Sequence, residues 1–443
     1  MPKLNKTRGH HVVPERGLTA LRVAITAFFA LDGFLFAGWV VRIPDIKHQT
    51  HASTGALGLA LLGVSAGAVF TMTLTGRLCR RHGSHPVTVV CMAVLALSVA
   101  LPPLTRSAPA LGAVLLLFGA AYGGANVAFN SAAVDLIAAL RGPLMPGFHA
   151  AFSLGGLVGA GVGGLAAGVL SPTRHLLCLT VIGLLVTAVA GRTLLRYEPP
   201  APAERARGAA GPEGARAGRG GATAVGRGGA TAGPGDATAG PDDATAGPDR
   251  MAAGPDDAAA VRRGERGLVV GFGLVALCTA YGEGALADWG ALHLRQDLAA
   301  PAGTAAAGYA CFALAMTVGR LSGAALLARL GRARTVIAGG GVAAAGMLLG
   351  SLAPSVWAAL TGFAVTGLGL ANLFPVAVER AGALTGPSGV AVASTLGYGG
   401  MLLGPPAIGF MADWFSLPVA LTSVAALAAT AAVLGFSTRR GLG

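Results

Sequence analysis

Apolar runs long enough to cross a bilayer recur along most of this chain, and they come as two strings separated by one polar, repetitive insert. The runs fall at about 18–41, 54–75, 86–104, 109–133, 147–170 and 175–195, then at 267–290, 303–327, 335–353, 356–378, 388–411 and 417–436. At a rise of about 1.5 Å per residue each one covers a hydrocarbon core of roughly 30 Å. Lipid offers no partner to backbone amides, so such segments must be helices that satisfy their own hydrogen bonds. The fold class that follows is an all-α membrane protein of twelve transmembrane helices in two pseudo-symmetric six-helix bundles.

The first run of each string carries an acid followed by a tryptophan. Asp32 and Trp39 lie in LTALRVAITAFFALDGFLFAGWVV, and Glu283 and Trp289 in GLVVGFGLVALCTAYGEGALADWG. This echo points to an internal duplication. The expected organisation is a tail over 1–17, a bundle over 18–196, a linker over 197–266, a second bundle over 267–437 and a tail over 438–443. The linker repeats ATAGPGD, ATAGPDD, ATAGPDR and MAAGPDD. A Gly-Pro pair in every unit excludes a coiled coil, and no unit has an apolar face to bury, so this segment is expected to be a disordered tether.

Only 12% of the residues are charged, yet the formal net charge is +13. The basic residues fall in short clusters between spans without aromatic interleaving, a pattern that excludes a nucleic-acid surface and instead reports topology. Clusters at Lys3 to Arg16, Arg77 to Arg81, Arg141, the insert, Arg329 to Arg334, Arg380 and Arg439 to Arg440 occupy alternate loops. By the positive-inside rule both termini and the linker lie in the cytoplasm, and the chain is expected to be a multi-pass protein of the plasma membrane. The five cysteines lack paired or metal-type spacing, and no cofactor or metal is expected.

A carboxylate inside a span costs about 2.5 to 3.5 kcal/mol on insertion scales, so it survives only beside a partner or a cavity. Asp32 and Glu283 are therefore candidates for proton coupling and substrate binding, against the alternative of a buried packing hydrogen bond. Tyr122, Asn126 and Asn130 recur at spacing four along one helix face, suited either to a hydroxylated solute or to interhelical bonding. Asn372 occupies a related Gly-Ala-Asn context in the other half. Ser394 and Tyr398 form a further candidate stripe with Met401, whereas Tyr309, Phe312 and Met316 are expected to be core. Trp39 and Tyr281 are expected on a cavity wall or at the outer interface, with the interface the favoured place for Trp39 and Trp289. At the cytoplasmic ends Asp135, Arg320 and Glu379 are candidate gate residues. No GxxxxGK[ST], HExxH or GxSxG constellation occurs, and an enzyme is not expected.

The loop GRLCRRHGSHP resembles the cytoplasmic signature of the major facilitator superfamily, with Gly76, Leu78, Arg81 and Gly83 in matching places and Arg80 where the pattern has an acid. A degenerate repeat, GRLSGAALLARLGRART, carries Arg329 and Gly331. The resemblance spans residues 18–436. It implies Gly76, Arg80, Arg81 and Gly83 at a cytoplasmic gate. GWVVRIP, GGANVAFN, FHAAFSLGG, EGALADW and NLFP are similar to bacterial permeases near the fucose-permease-like branch. Drug antiporters of the superfamily carry an arginine in the fourth span and Gly-Pro in the fifth; here Gly119 and Ala160 stand there. The expected function, resting on Asp32, Glu283, Asn126 and Asn130, is proton-coupled movement of a small polar or sugar-like solute by alternating access, with a monomer as the expected working unit. Efflux of a metabolite or drug, and a non-transporting scaffold or sensor, are the alternatives.

Overall fold

The computed structural model of the protein describes residues 15–140, 144–197, 255–385 and 387–439, and among them the secondary structure is helical with no strand. The first half holds α1 (Glu15–Val40), a short α2 (Ile43–Thr50), α3 (Thr54–His82), α4 (Ser84–Ser98), α5 (Ala108–Leu140), α6 (Met145–Ala167) and α7 (Pro172–Arg196). The second half holds α8 (Pro255–Gln296), α9 (Ala302–Leu321), α10 (Gly323–Leu352), α11 (Val356–Leu370), α12 (Leu373–Thr385), α13 (Pro387–Trp414) and α14 (Leu417–Ser437). Eleven helical stretches among the described residues are long and apolar enough to cross a membrane, α11 and α12 together making one. The 28-residue α13 is the twelfth span.

Two departures from the expected spans have local causes. The helix of the seventh span begins at Pro255, ahead of the expected start at 267, because proline is well suited to a first helical turn. The tenth span breaks after Leu370, and the Asn372 side chain at the break donates from Nδ2 to the Gly319 carbonyl at 2.9 Å. The tandem repeats of the linker lie outside the described residues except for Pro255 to Asp257 of the last one, which open α8, so residues 255–266 of the expected tether are helical.

Glycine seams hold each half together, since lipid supplies no hydrophobic push between helices and close packing must serve instead. A Cβ on Gly155 of α6 would collide with the Ala30 carbonyl of α1, and one on Gly400 of α13 with the Leu277 carbonyl of α8. These are corresponding seams of the two halves, first span on fifth and seventh on eleventh. The loops repeat as well: Gly83 sits at φ 88, ψ 153, and Gly331 at φ 76, ψ 164. Both backbones are in a region that a side chain disfavours, which explains a glycine at the end of each basic loop.

The chain's first described helix starts, and its last ends, at one side of the bundle, here the terminal end. The turns after α1, α6, α8 and α13 lie at the opposite, distal end. There the halves close on each other. Gly58 of α3 packs on Pro405 and Pro406 of α13, and Gly164 of α6 on Gly303 and Ala306 of α9.

Candidate functional site

A cavity of about 190 Å³ lies between the halves. From the first half α1 contributes Phe36 and Trp39, α3 contributes Ser65 and Met72, α5 contributes Tyr122 and α6 contributes Phe152. The second half adds Glu283 and Asp288 from α8, Tyr309 and Phe312 from α9, and Tyr398 and Met401 from α13. Phe36 links the halves: its ring lies 5.3 Å from that of Tyr122 and 6.5 Å from that of Tyr309. Tyr398 is on the cavity wall and is 44% exposed.

The two echoed acids have different surroundings. Asp32 is fully buried inside the first half, with no hydrogen-bond partner for either carboxylate oxygen among the described residues. It lies within electrostatic reach of Tyr122. Glu283 faces the cavity and accepts from Nη2 of Arg320 at 3.2 and 3.3 Å. Arg320 thus pairs with a cavity acid of its own half, one helix away. Asp288, five residues beyond Glu283, lines the same cavity with no ion pair or hydrogen bond among the described residues. EGALADW contains two acids five residues apart, and only the packing of α8 shows that both line the cavity.

The other candidate residues divide. Tyr122 and Tyr398 line the cavity, whereas Asn126 and Asn130 line a separate open groove with Ser131 and Asp135. There Asn130 Nδ2 donates to the Asn126 carbonyl at 2.8 Å and to its side-chain oxygen at 3.2 Å. Asn372 is buried at the α9 contact described above, a different environment from that of Asn126. Ser394 is half-buried on α13 and is not among the cavity-lining residues. Gly76 is half-buried at the terminal end beside the exposed Arg80 and Arg81. Asp135 accepts from Ser84 Oγ at 3.0 Å, and Glu379 from Arg332 Nη2 at 2.8 Å, both within one half.

Three expectations are corrected. Trp39 and Trp289 are 2% and 0% exposed, so they are packed inside the protein and do not anchor it at a membrane interface. Tyr309 and Phe312 belong to the cavity wall as well as to the core, because α9 presents that stripe toward α1. Tyr281 packs internally, its hydroxyl 3.0 Å from Ser423 Oγ.

The distal end carries polar contacts that join the halves. Asp413, in the last turn of α13, accepts from Ser53 Oγ at 2.9 Å, from Thr54 N at 2.9 Å and from Gly55 N at 2.8 Å, capping α3 across the interface. Asp45 accepts from Arg42 Nη1 at 3.0 Å on one oxygen and from Arg295 of the other half on the second. Arg42 is 1% exposed and fully engaged: Nε donates to His175 Nδ1 at 3.0 Å, and Nη2 to the carbonyls of Ala166 and Leu170 at 3.1 and 3.0 Å. Beside them Lys47 Nζ donates to Gln296 at 3.3 Å. Burial pulls the Lys47 ammonium down from its ordinary pKa, while Asp413 and Asp297 act in the opposite direction.

This architecture is that of known transporters. Solved structures similar to it include a bacterial homologue of the human lysosomal transporter Spinster in an inward-facing, occupied conformation (TM-score 0.70, 14% identity, 96% of this chain and 98% of that one). The D-xylose-proton symporter (TM-score 0.69, 13% identity, 94% and 97%) and the nucleoside transporter NupG (TM-score 0.65, 14% identity, 95% and 98%) share the fold. Among sequence relatives, an uncharacterised MFS-type transporter of Yersinia pestis is 32% identical over 430 residues, covering 96% of this chain and 97% of that protein. An uncharacterised transporter of Sinorhizobium fredii is 30% identical over 423 residues, covering 95% and 98%. The Major Facilitator Superfamily model matches residues 23–237 and 272–441. The chain belongs to the major facilitator superfamily, a family of membrane transporters and not of enzymes.

Proposed function

We propose that this transporter moves a small polar solute of sugar or nucleoside size by alternating access, coupled to protons, through the central cavity. The observation that carries the reading is the cavity itself, built from both halves and lined by aromatic rings with acids among them. Its volume is below the roughly 300 Å³ at which pockets for drug-sized ligands begin, which favours a compact solute. Names of fold relatives, a nucleoside transporter and a sugar-proton symporter, agree with that size class.

Asp32 supports the coupling. A carboxylate with neither oxygen bonded is costly to keep charged in a dry interior, and taking up a proton removes the charge. One turn along α1, Phe36 lines the cavity, so a proton at Asp32 is adjacent to the solute wall. With both termini in the cytoplasm, the distal closure is the side away from the cytoplasm. The domain boundaries follow the same scheme, with the linker as a cytoplasmic tether between bundles that work as a monomer.

Export of a metabolite or drug by antiport is the second reading, favoured by the acids Glu283 and Asp288 in an aromatic wall, a combination suited to cationic solutes. Uptake of radiolabelled sugars, nucleosides and amines into proteoliposomes, with and without an imposed pH gradient, tests both. Accumulation driven by the gradient in wild type and lost in Asp32→Asn is the expected result. Gradient-driven flux that survives Asp32→Asn removes Asp32 from coupling.

A further inference from the structure

We propose that Asp288 is the anchor for a positively charged group, so that the solute of this transporter is a small ring-bearing amine carrying one net positive charge. The inference rests on the central cavity being the solute site.

Three ionisable groups meet around the cavity's second-half wall. Glu283 and Arg320 neutralise one another. Asp288 has no ion-pair partner among the described residues, so a proton or a ligand cation must supply its neutralisation. All three lie within electrostatic reach of the Tyr309 hydroxyl. An uncompensated carboxylate in a poorly solvated space is costly, and a ligand ammonium that reaches it recovers that cost while forming a charge-assisted hydrogen bond.

The rings around it fit the same chemistry. Phe36, Tyr122 and Tyr309 form a continuous aromatic contact across the two halves, with faces that attract a cation and edges that stack on a planar or ring-shaped body. Ser65 Oγ, which donates to the Met401 carbonyl at 3.4 Å, keeps lone pairs to accept from a polar substituent. A neutral sugar would leave Asp288 unbalanced, and an anionic solute would add repulsion. Arg320 is held by Glu283, so it does not offer a free positive group to an anion.

The test is thermal unfolding of the purified full-length chain with charge-matched probes: tyramine against its hydroxyl counterpart tyrosol, and glucosamine against glucose. At least one amine should raise the Tm in a saturable way while its neutral partner does not. Asp288→Asn should weaken that amine about 10- to 100-fold, the range for losing a hydrogen bond to a charged group, and Asp288→Glu should restore most of it. The wild-type contrast stands even where the Asn variant fails to fold. Equal stabilisation by the neutral partners, amine binding unchanged in Asp288→Asn, or no response to either amine overturns the proposal. Flux in proteoliposomes separates the two levels: neutral solutes moving through Asp288→Asn sink the charged-solute class and leave transport standing, whereas no flux of any solute sinks the transport reading.

Discussion

The two halves place an acid at equivalent points of their first spans, and the fold gives those acids opposite settings. Asp32 is sealed among the helices of its own half with both oxygens unbonded, while Glu283 opens to the cavity and is held by Arg320. The difference arises from the neighbours. On the first-half side the seam between α1 and α6 closes over Asp32, where a Cβ at the adjacent Gly33 would collide with the Phe152 carbonyl. In the second half the last turn of α9 brings an arginine to α8. Duplication therefore supplies two acids, and in the proposed mechanism divergence assigns one to holding a proton and the other to shaping the solute wall.

The largest effect separating these roles is expected at Asp32. Asp32→Asn preserves shape and removes the titrating group, so proton-driven accumulation in proteoliposomes should fall by about 100-fold or more, a cost of roughly 2.7 kcal/mol, while solute exchange without a gradient persists. Equal loss of exchange would show that Asp32 serves solute binding instead. Glu283→Gln should do the reverse. It should weaken solute binding about tenfold and leave the dependence on the proton gradient intact, and the stability change should stay under about 1 kcal/mol because the Arg320 side chain is 45% exposed. Isothermal titration with the transported solute and thermal unfolding read these two quantities separately.

A second contrast concerns the two ends. The distal end is bound across the halves by Asp413 on the α3 N-terminus and by Asp45 on Arg295, while Glu379, expected to gate the terminal end, is bonded by Arg332 of its own half. Asp413→Ala removes three acceptor contacts and a charge placed favourably at a helix N-terminus, about 1 to 2 kcal/mol of support for the closed distal end. A population shift of about 5- to 30-fold toward distal opening should follow. Labelling of a cysteine introduced at Ser65 by a membrane-impermeant thiol reagent, applied from the distal side, should accelerate by a similar factor. An unchanged labelling rate would mean that glycine packing around Gly58 and Gly164 alone closes this end.

Much of the architecture was legible because lipid imposes a strict demand. Every span must be a long apolar helix, so their number and the duplication show directly in the sequence. The glycines of the basic loops were legible for a similar reason, since a positive φ leaves little choice of residue. Rotation about a helix axis was not legible where a span is apolar on every side. Trp39 and Trp289 read as interface anchors and are internal, and Asp288 was hidden beside Glu283 for the same reason. Arg42 resembled an ordinary loop cation. Its burial depends on carbonyls at Ala166 and Leu170 and on the His175 ring, all remote in sequence, so no local pattern could announce it.

The smallest effect tests how far the duplication reaches into energetics. Gly83 and Gly331 share a backbone conformation in which a Cβ is disfavoured, and neither has a steric neighbour closer than 3.7 Å to where that atom would lie. Substitution by alanine therefore isolates the backbone cost, expected at about 1 kcal/mol at each site and additive in the double variant, since the two loops belong to different halves. Thermal unfolding of both single variants and the double measures it. Equal decrements would mark the basic loops as matched remnants of one ancestral turn. A decrement at Gly83 clearly larger than at Gly331 would show that the first loop, which keeps the fuller signature from Gly76 to Gly83, carries a closing role that the degenerate second loop has lost.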